Sequence, residues 1–238
     1  MSTASGIPDF RGPNGIWTLE KKGVKSSESI SFASAKPTYS HHALKALIDA
    51  NRVHFIISQN IDGLFLKTGI QRKHLSELHG NFYLDECNLC STRYIRQSPS
   101  PTMGLKLSNM PCKRPRRPCR GTLRDTILDW EDQLPLTELE AAEDNALLSD
   151  LSICLGSSLQ IDPAGKLPFI KTKSKSLTRK TVIINLQSTK YDKKADLVIH
   201  DYIDNVLDKL CEQLRLKVNS YDATRDLTAY DGEMPIWK

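Results

Sequence analysis

Continuous apolar runs alternate along this chain with segments in which apolar residues recur at helical spacing. The runs are rich in β-branched residues, which is typical of strands covered on both faces of a parallel sheet. Three of them have the length of an ordinary strand and one is shorter. We predict strands at residues 53–57, 151–155, 181–185 and 197–200.

Three helices are predicted between these runs. The first has the apolar face Ala43, Leu44, Leu47 and Ile48 and follows two candidate caps, Thr38 and Ser40. The second, 137–149, leads directly into the strand at 151. In the third, apolar residues between 203 and 214 follow the 3, 4, 7, 8, 11 spacing of an amphipathic helix. The alternation predicts an α/β protein built of βαβ units, with a doubly wound parallel sheet.

Residues 82–123 interrupt this pattern, because they have no helical period and are rich in Pro, Ser, Lys and Arg. Four of the six cysteines of the chain lie there, so we predict an inserted module. The segment 217–238 is polar and aperiodic, and we expect it to pack loosely as an extension.

Composition limits the class of protein further. A chain of 238 residues with 39% hydrophobic residues can bury one domain with a small insert. It has no run of about 18 apolar residues and no signal-like start, so we expect no membrane contact and a reducing compartment. Cys154 and Cys211 lie in apolar segments and are predicted to be buried core thiols. The net charge of +5 suits an acidic partner.

The clustered cysteines predict one structural Zn²⁺ ion. Cys87 and Cys90 have the two-residue spacing that aims both sulfurs at one ion, and Cys112 and Cys119 complete four thiolates. The alternatives are four unrelated buried cysteines, or an open catalytic site that His79 could join. The loop 113–118 is dense in positive charge and would offset part of the thiolate charge. It also resembles a nuclear-localisation run.

Several polar loops follow or precede the predicted strands. In the Gly- and Pro-rich stretch 5–17, Arg11 beside Phe10 suits pyrophosphate binding under a hydrophobic lid. Gly156-Ser157-Ser158 follows a strand, where backbone N–H groups can face a phosphate, although an ordinary turn would look the same. Asn185 and Gln187 could hold a ribose or a base edge.

Six motifs follow one another along the chain: Gly6-Ile7-Pro8-Asp9-Phe10-Arg11, Ser58-Gln59-Asn60-Ile61-Asp62-Gly63, Leu78-His79-Gly80-Asn81, the CxxC pair, Gly156-Ser157-Ser158-Leu159 and Ile184-Asn185-Leu186-Gln187. Their order resembles that of the sirtuins, the NAD-dependent protein deacylases. Three further segments, Trp17-Thr18-Leu19-Glu20, residues 123–132 and His200-Asp201-Tyr202-Ile203-Asp204, resemble the class IV branch. The resemblance covers residues 2 to about 216.

The resemblance implies a Rossmann-like domain, 1–81 and 124–216, with a zinc-ribbon module at 82–123 and an extension at 217–238. It implies NAD as cofactor and transfer of an acyl group from protein lysine to ADP-ribose, with release of nicotinamide. His79 would be the general base, with a loop-capping histidine as the alternative. Trp130 and Asp132 would contact the acyl-lysine. The implied NAD contacts are Thr3, Phe10, Arg11, Trp17, Gln59, Asn60, Asp62, His79, Gly156, Ser157, Ser158, Asn185, Gln187 and Ile203.

One departure from the sirtuin pattern affects the expected sheet. Sirtuins carry a first strand that leads into Gly-Ala-Gly-x-Ser-Thr, and Met1 stands within the position of that motif. We therefore expect a missing central strand and unpaired edges on its neighbours. The alternative functions are a zinc-bearing module that binds chromatin or acyl-peptide without turnover, and a mono-ADP-ribosyltransferase. The expected partners are histone tails and chromatin in the nucleus.

Overall fold

A computed structural model of the chain describes residues 1–7, 32–129, 131–170 and 179–237. The α-helices in this part are α1 (Tyr39–Asp49), α2 (Leu136–Leu148) and α3 (Ile203–Gln213). The strands are β1 (Ile56–Ser58), β2 (Leu75–Glu77), β3 (Leu84–Cys87), β4 (Arg93–Ile95), β5 (Leu107–Pro111), β6 (Thr122–Asp125), β7 (Leu151–Leu155), β8 (Lys180–Ile184) and β9 (Leu197–Ile199). Short 3₁₀ helices span Ser2–Ser5, Leu66–Thr68, Arg72–His74, Ala164–Phe169 and Asp192–Lys194.

The parallel strands and the three helices confirm the predicted α/β class. The prediction for 151–155 is correct to the residue, whereas the strand predicted at 53–57 begins only at Ile56. The reason is local, because the amides of Arg52 and Val53 donate to the carbonyl of Leu47 and so extend the end of α1. Strand β2 was not predicted, since three residues are too few to show a period.

The parallel strands form two separate sheets in the described part of the chain. β1 pairs with β2, and β7, β8 and β9 pair in that order. One edge of β1 and one edge of β7 are thus unpaired among the described residues, and we call these their inner edges. Cys154 and Ile183 are buried on one face of the three-stranded sheet. On the opposite face, Ile153 is 37% and Leu197 is 50% exposed.

Strands β3 to β6 form an antiparallel sheet in the order β4-β3-β6-β5. A small apolar core beneath it contains Tyr94, Leu123 and the cysteines. This arrangement fits an inserted module, while its exact bounds of 82–123 stay a prediction.

The C-terminal segment packs closely, so the expectation of loose packing is wrong. Trp237 is only 4% exposed and lies in the same apolar cluster as α1 and α3. The amide of Trp237 donates to the carbonyl of Arg93 at 3.0 Å, and the amide of Ile95 donates to Pro235 at 2.9 Å. The edge strand β4 is thus covered by a few apolar residues of a polar stretch, namely Met234, Ile236 and Trp237. Among the residues described, no helix is both long and apolar enough to cross a membrane.

Candidate active site

Most of the predicted site residues with a described position lie just beyond the carboxyl ends of the parallel strands. The loop from Gln59 to Asp62 follows β1, His79 follows β2 and Gly156 follows β7. Asn185 directly follows β8. Ligands of open α/β sheets bind at these ends, particularly where the sheet divides. The fold therefore brings together residues that are up to 126 positions apart, from Gln59 to Asn185.

The loop after β1 is organised around the buried carboxylate of Asp62, which is 4% exposed. It accepts a hydrogen bond from the amide of Leu64 at 2.9 Å and another from the hydroxyl of Ser2. Burial raises the pKa of Asp62, although these hydrogen bonds oppose the shift. The Ser2 hydroxyl also accepts from Nδ2 of Asn60 at 2.9 Å. Sequence reasoning missed Ser2 as a site residue, since no pattern indicates which serine reaches a buried acid.

A hydrogen bond connects the loops at the ends of the two parallel sheets, because Nε2 of Gln59 donates to Oγ of Ser157 at 3.2 Å. Within the three-stranded sheet, the amide of Gly156 donates to the carbonyl of Ile184 at 2.9 Å. Gly156 has φ +60°, and a Cβ there would lie 2.8 Å from Cδ1 of Ile203. Its contribution is therefore a tight turn, which only glycine makes without strain.

His79 is partly exposed, and its ring orientation is defined. Nδ1 lies 2.9 Å from the carbonyl oxygen of Gln59. A carbonyl can only accept, so Nδ1 carries the proton in the neutral ring and Nε2 keeps a free lone pair. The arrangement gives His79 the tautomer that a general base needs.

The segment after β6 is held against the His79 loop. The amide of Leu128 donates to the carbonyl of His79 at 3.2 Å. Gly80 has φ +85°, and a Cβ there would be 1.9 Å from the carbonyl oxygen of Thr126, so only glycine allows this approach. Further on, Oδ2 of Asp132 accepts from the amide of Asp129 at 2.8 Å and closes an exposed turn. Asp132 therefore lies in a turn that starts directly after Leu128, the residue hydrogen-bonded to His79.

The remaining predicted contacts differ in how far the structure places them. Phe10, Arg11, Trp17 and Trp130 lie outside the described residues. Thr3 is exposed, in the short helix that also places Ser2. Nδ2 of Asn185 donates to the carbonyl of Gln187, whose own side chain is exposed. The ligand roles assigned to all of these residues stay predictions.

The four clustered cysteines form one site with the dimensions of a zinc centre. Their Sγ atoms all lie within 4.8 Å of one another. Cys87 to Cys119 and Cys90 to Cys112 are each separated by 3.7 Å between sulfurs. Zn–S bonds of about 2.3 Å in a tetrahedron require S···S distances of about 3.8 Å. The thiols thus fit a closed Zn²⁺ site, and the alternative of unrelated cysteines is wrong. His79, bonded to Gln59, is not among the grouped ligands.

Fold and site together define an α/β protein of the nucleotide-binding type that carries a structural zinc module. Residues 19–163 match the Sir2 family. A relative in Drosophila melanogaster, NAD-dependent protein deacetylase Sirt6, is 47% identical over 98% of this chain and 74% of its own length. The chain therefore belongs to the Sir2 family, the sirtuins, which confirms the resemblance.

Other relatives agree in family and differ in length. NAD-dependent protein deacetylase SRT1 of Arabidopsis thaliana is 45% identical over 93% of this chain, which spans 46% of that protein. A solved structure of Sir2 with a p53 peptide and NAD⁺ is 27% identical, with a TM-score of 0.60 over 90% of this chain and 89% of that one. A Sir2 complex with deacetylated p53 peptide and 3′-O-acetyl ADP-ribose has a TM-score of 0.65 at 27% identity, over 91% and 90% of the two chains.

Proposed function

We propose that this chain is an NAD-dependent protein-lysine deacylase that transfers an acyl group to ADP-ribose and releases nicotinamide. The observation that carries the proposal is His79, whose Nδ1 is held by the carbonyl of Gln59 at the end of the parallel strands, so that the lone pair of the neutral ring is on Nε2. Bound NAD supplies an electrophilic ribose carbon and a leaving nicotinamide. The relatives' names and the Sir2 complexes support the same chemistry.

The residues of this chain would bind, orient and deprotonate. Nε2 of His79 would accept the proton of a ribose hydroxyl, which suits imidazole at neutral pH. Gln59 and Asn60 would orient that ribose, and Asp62 would receive the carboxamide of nicotinamide. Gly156, Ser157 and Ser158 would form the phosphate turn. Four thiolates would hold Zn²⁺, which stabilises the inserted module and takes no part in the reaction.

The substrate would be an acylated lysine of a protein. Sir2 neighbours are solved with acetylated or deacetylated peptides, and the turn from Asp129 to Asp132 begins beside His79 and would line the lysine channel. Histone tails are the substrate we propose, with chromatin as the setting and the nucleus as the location. Support comes from the sirtuin resemblance, the net charge of +5 and the basic loop 113–118.

The direct test measures nicotinamide release from NAD with an acetylated histone peptide. We compare this chain, its His79→Ala variant and a version that carries an upstream Gly-Ala-Gly strand. We expect acyl-dependent release that His79→Ala abolishes. Release unchanged in His79→Ala would contradict the assignment of the base.

The inner edges of β1 and β7, which pair with no described strand, support a second candidate, a zinc-bearing module that binds acyl-peptide without turnover. Peptide binding with no release by this chain, but with release by the extended version, would favour that candidate. A third outcome, label from NAD retained on protein, would favour mono-ADP-ribosyl transfer. The three activities are thus distinguished in one assay.

A further inference from the structure

His79 lies on a turn whose two arms are joined by buried side chains. Glu77 is 2% exposed and Asn81 is 0% exposed. Nδ2 of Asn81 lies 2.7 Å and 2.9 Å from the two carboxyl oxygens of Glu77. The amide of Gly80 also donates to the carbonyl of Glu77, at 3.2 Å. The histidine is therefore at the apex of a turn that side chains and backbone close together.

Asn81 connects this turn to its surroundings. Its amide donates to Oγ1 of Thr126 at 3.1 Å, and its Oδ1 accepts from the amide of Tyr83 at 2.7 Å. Because Leu128 donates to the carbonyl of His79, the segment after β6 holds the turn at two points. A change in the contact of Glu77 with Asn81 would consequently move the backbone that carries the imidazole.

Two buried glutamates, Glu77 in the turn and Glu138 beside it, have opposite electrostatic settings. Glu138 of α2 accepts from Arg93 at 2.6 Å and from Arg72 at 3.1 Å, and its second oxygen accepts from the amide of Glu77 at 2.9 Å. The carboxyl group of Glu77 is instead hydrogen-bonded to a neutral amide. Burial raises the pKa of Glu77 to about 8. The hydrogen bond from Asn81 and the charge of Arg93 oppose this shift, and the charges of Glu138 and Asp62 add to it.

We propose that Glu77 is a positioning residue for His79, because its two carboxyl oxygens hold Nδ2 of Asn81 across the turn. Removal of the carboxyl group leaves the buried amide of Asn81 without this partner and frees the backbone that carries the imidazole. Its kinetic consequence rests on the proposed deacylase function.

The test compares Glu77→Gln, Glu77→Ala and the control Glu140→Ala, which changes an exposed glutamate on α2. Displacement of a catalytic group lowers the rate more than binding, so Glu77→Ala should lose about 10- to 100-fold in kcat, with KM changed by less than about threefold. Glu77→Gln keeps the shape without a titratable proton. We expect it to retain kcat, because the amide oxygen of glutamine can still accept from Nδ2 of Asn81.

A second readout does not need turnover. The ¹⁵N chemical shift of His79 Nδ1 reports its hydrogen bond to Gln59, and we expect it to move in Glu77→Ala and to stay in Glu77→Gln and Glu140→Ala. Unchanged kcat and shift in a folded Glu77→Ala variant would overturn the proposal, as would a Glu77→Gln variant that loses as much kcat as Glu77→Ala. If no chain releases nicotinamide, the proposed function fails, while the shift still decides the role of Glu77.

Discussion

The zinc module and the nucleotide-binding half of the molecule contain sheets that are built in opposite ways. In the module, four antiparallel strands form one continuous sheet, and the C-terminal segment covers its edge at β4. In the other half, five described parallel strands are divided between two sheets, with β1 and β7 unpaired at their inner edges. The edge of the module is thus closed by the C-terminal segment, whereas the two parallel sheets are joined by the hydrogen bond from Gln59 to Ser157 and by a shared apolar cluster that Ile56 and Leu155 contact.

The difference follows from how each sheet is connected. Antiparallel neighbours need only short loops, whereas parallel neighbours need long crossovers. A gap in a parallel sheet therefore cannot be closed by the adjacent strands alone. In this chain, the hydrogen bond from Gln59 to Ser157 joins the loop after β1 to the loop after β7 and lies at the site itself. The loops that would bind NAD are consequently also the loops that connect the two halves of the sheet.

The largest effect that we expect comes from removal of the metal. Zinc binding by four thiolates contributes roughly 10–16 kcal/mol to the folding of small modules. Cys112→Ser should therefore abolish zinc content and unfold β3 to β6, whereas Cys154→Ala should retain the metal. Metal analysis measures the zinc content, and limited proteolysis between residues 84 and 125 measures the unfolding of β3 to β6. Loss of α1 and α3 in the same step would show that the two regions fold as one unit.

The next largest effect should come from the C-terminal segment. Trp237→Ala removes a side chain that is 96% buried between the module and the main core, and such truncations cost about 3–5 kcal/mol. Arg72, whose guanidinium lies 5.6 Å from the centre of the Trp237 ring, would lose this contact. The control is Lys113→Ala, because its ion pair with Glu233 is exposed and contributes at most about 1 kcal/mol. Equal melting temperatures for both variants would contradict the assigned packing.

The sequence was most informative where a pattern repeats or where chemistry demands a spacing. The strand at 151–155 and the amphipathic helix after residue 203 were predicted within a residue or two, because the first is a continuous apolar run and the second repeats its apolar spacing over three turns. The zinc ligands followed from cysteine spacing. Strand β2 and the packing of Trp237 could not be predicted, because a strand of three residues and a single buried tryptophan carry no period. Ser2 and Glu77 were missed as well. The partner of Ser2, Asp62, is distant in sequence, and the contact of Glu77 with Asn81 depends on a turn whose geometry the sequence does not show.

The pH dependence of stability distinguishes Glu77, which is hydrogen-bonded to a neutral amide, from Glu138, which is paired with arginines. Glu77 has a pKa of about 8 in the folded protein and an ordinary value near 4.5 when unfolded. Between these values the folded chain holds a proton that the unfolded chain has released, so stability falls as pH rises. Above pH 8 both states are ionised and the contribution becomes constant. Glu77→Gln should therefore gain stability over the unmodified chain from pH 5 to 8, as urea unfolding at each pH can measure. A constant difference across this range would contradict a protonated Glu77.

The smallest effect on stability should come from the open face of the β7-β8-β9 sheet. Ile153 is 37% exposed beside the edge of β7 that pairs with no described strand, and Thr keeps the β-branched shape that suits a strand. Ile153→Thr should change the free energy of unfolding by less than about 0.5 kcal/mol. The control Ile183→Val, on the buried face of the neighbouring strand, should cost about 0.5–1.5 kcal/mol. Thermal and urea unfolding measure both.

Ile153→Thr should change the self-association of the chain more than its stability. An unpaired strand edge next to exposed apolar residues is a template for pairing between chains. Sedimentation velocity at increasing concentration should therefore show weaker self-association for Ile153→Thr than for Ile183→Val. If Ile153→Thr instead destabilises the chain by as much as Ile183→Val does, the face is covered in solution. In that case the parallel sheet is as well closed as the zinc module, and the difference between the two regions lies in their connections alone.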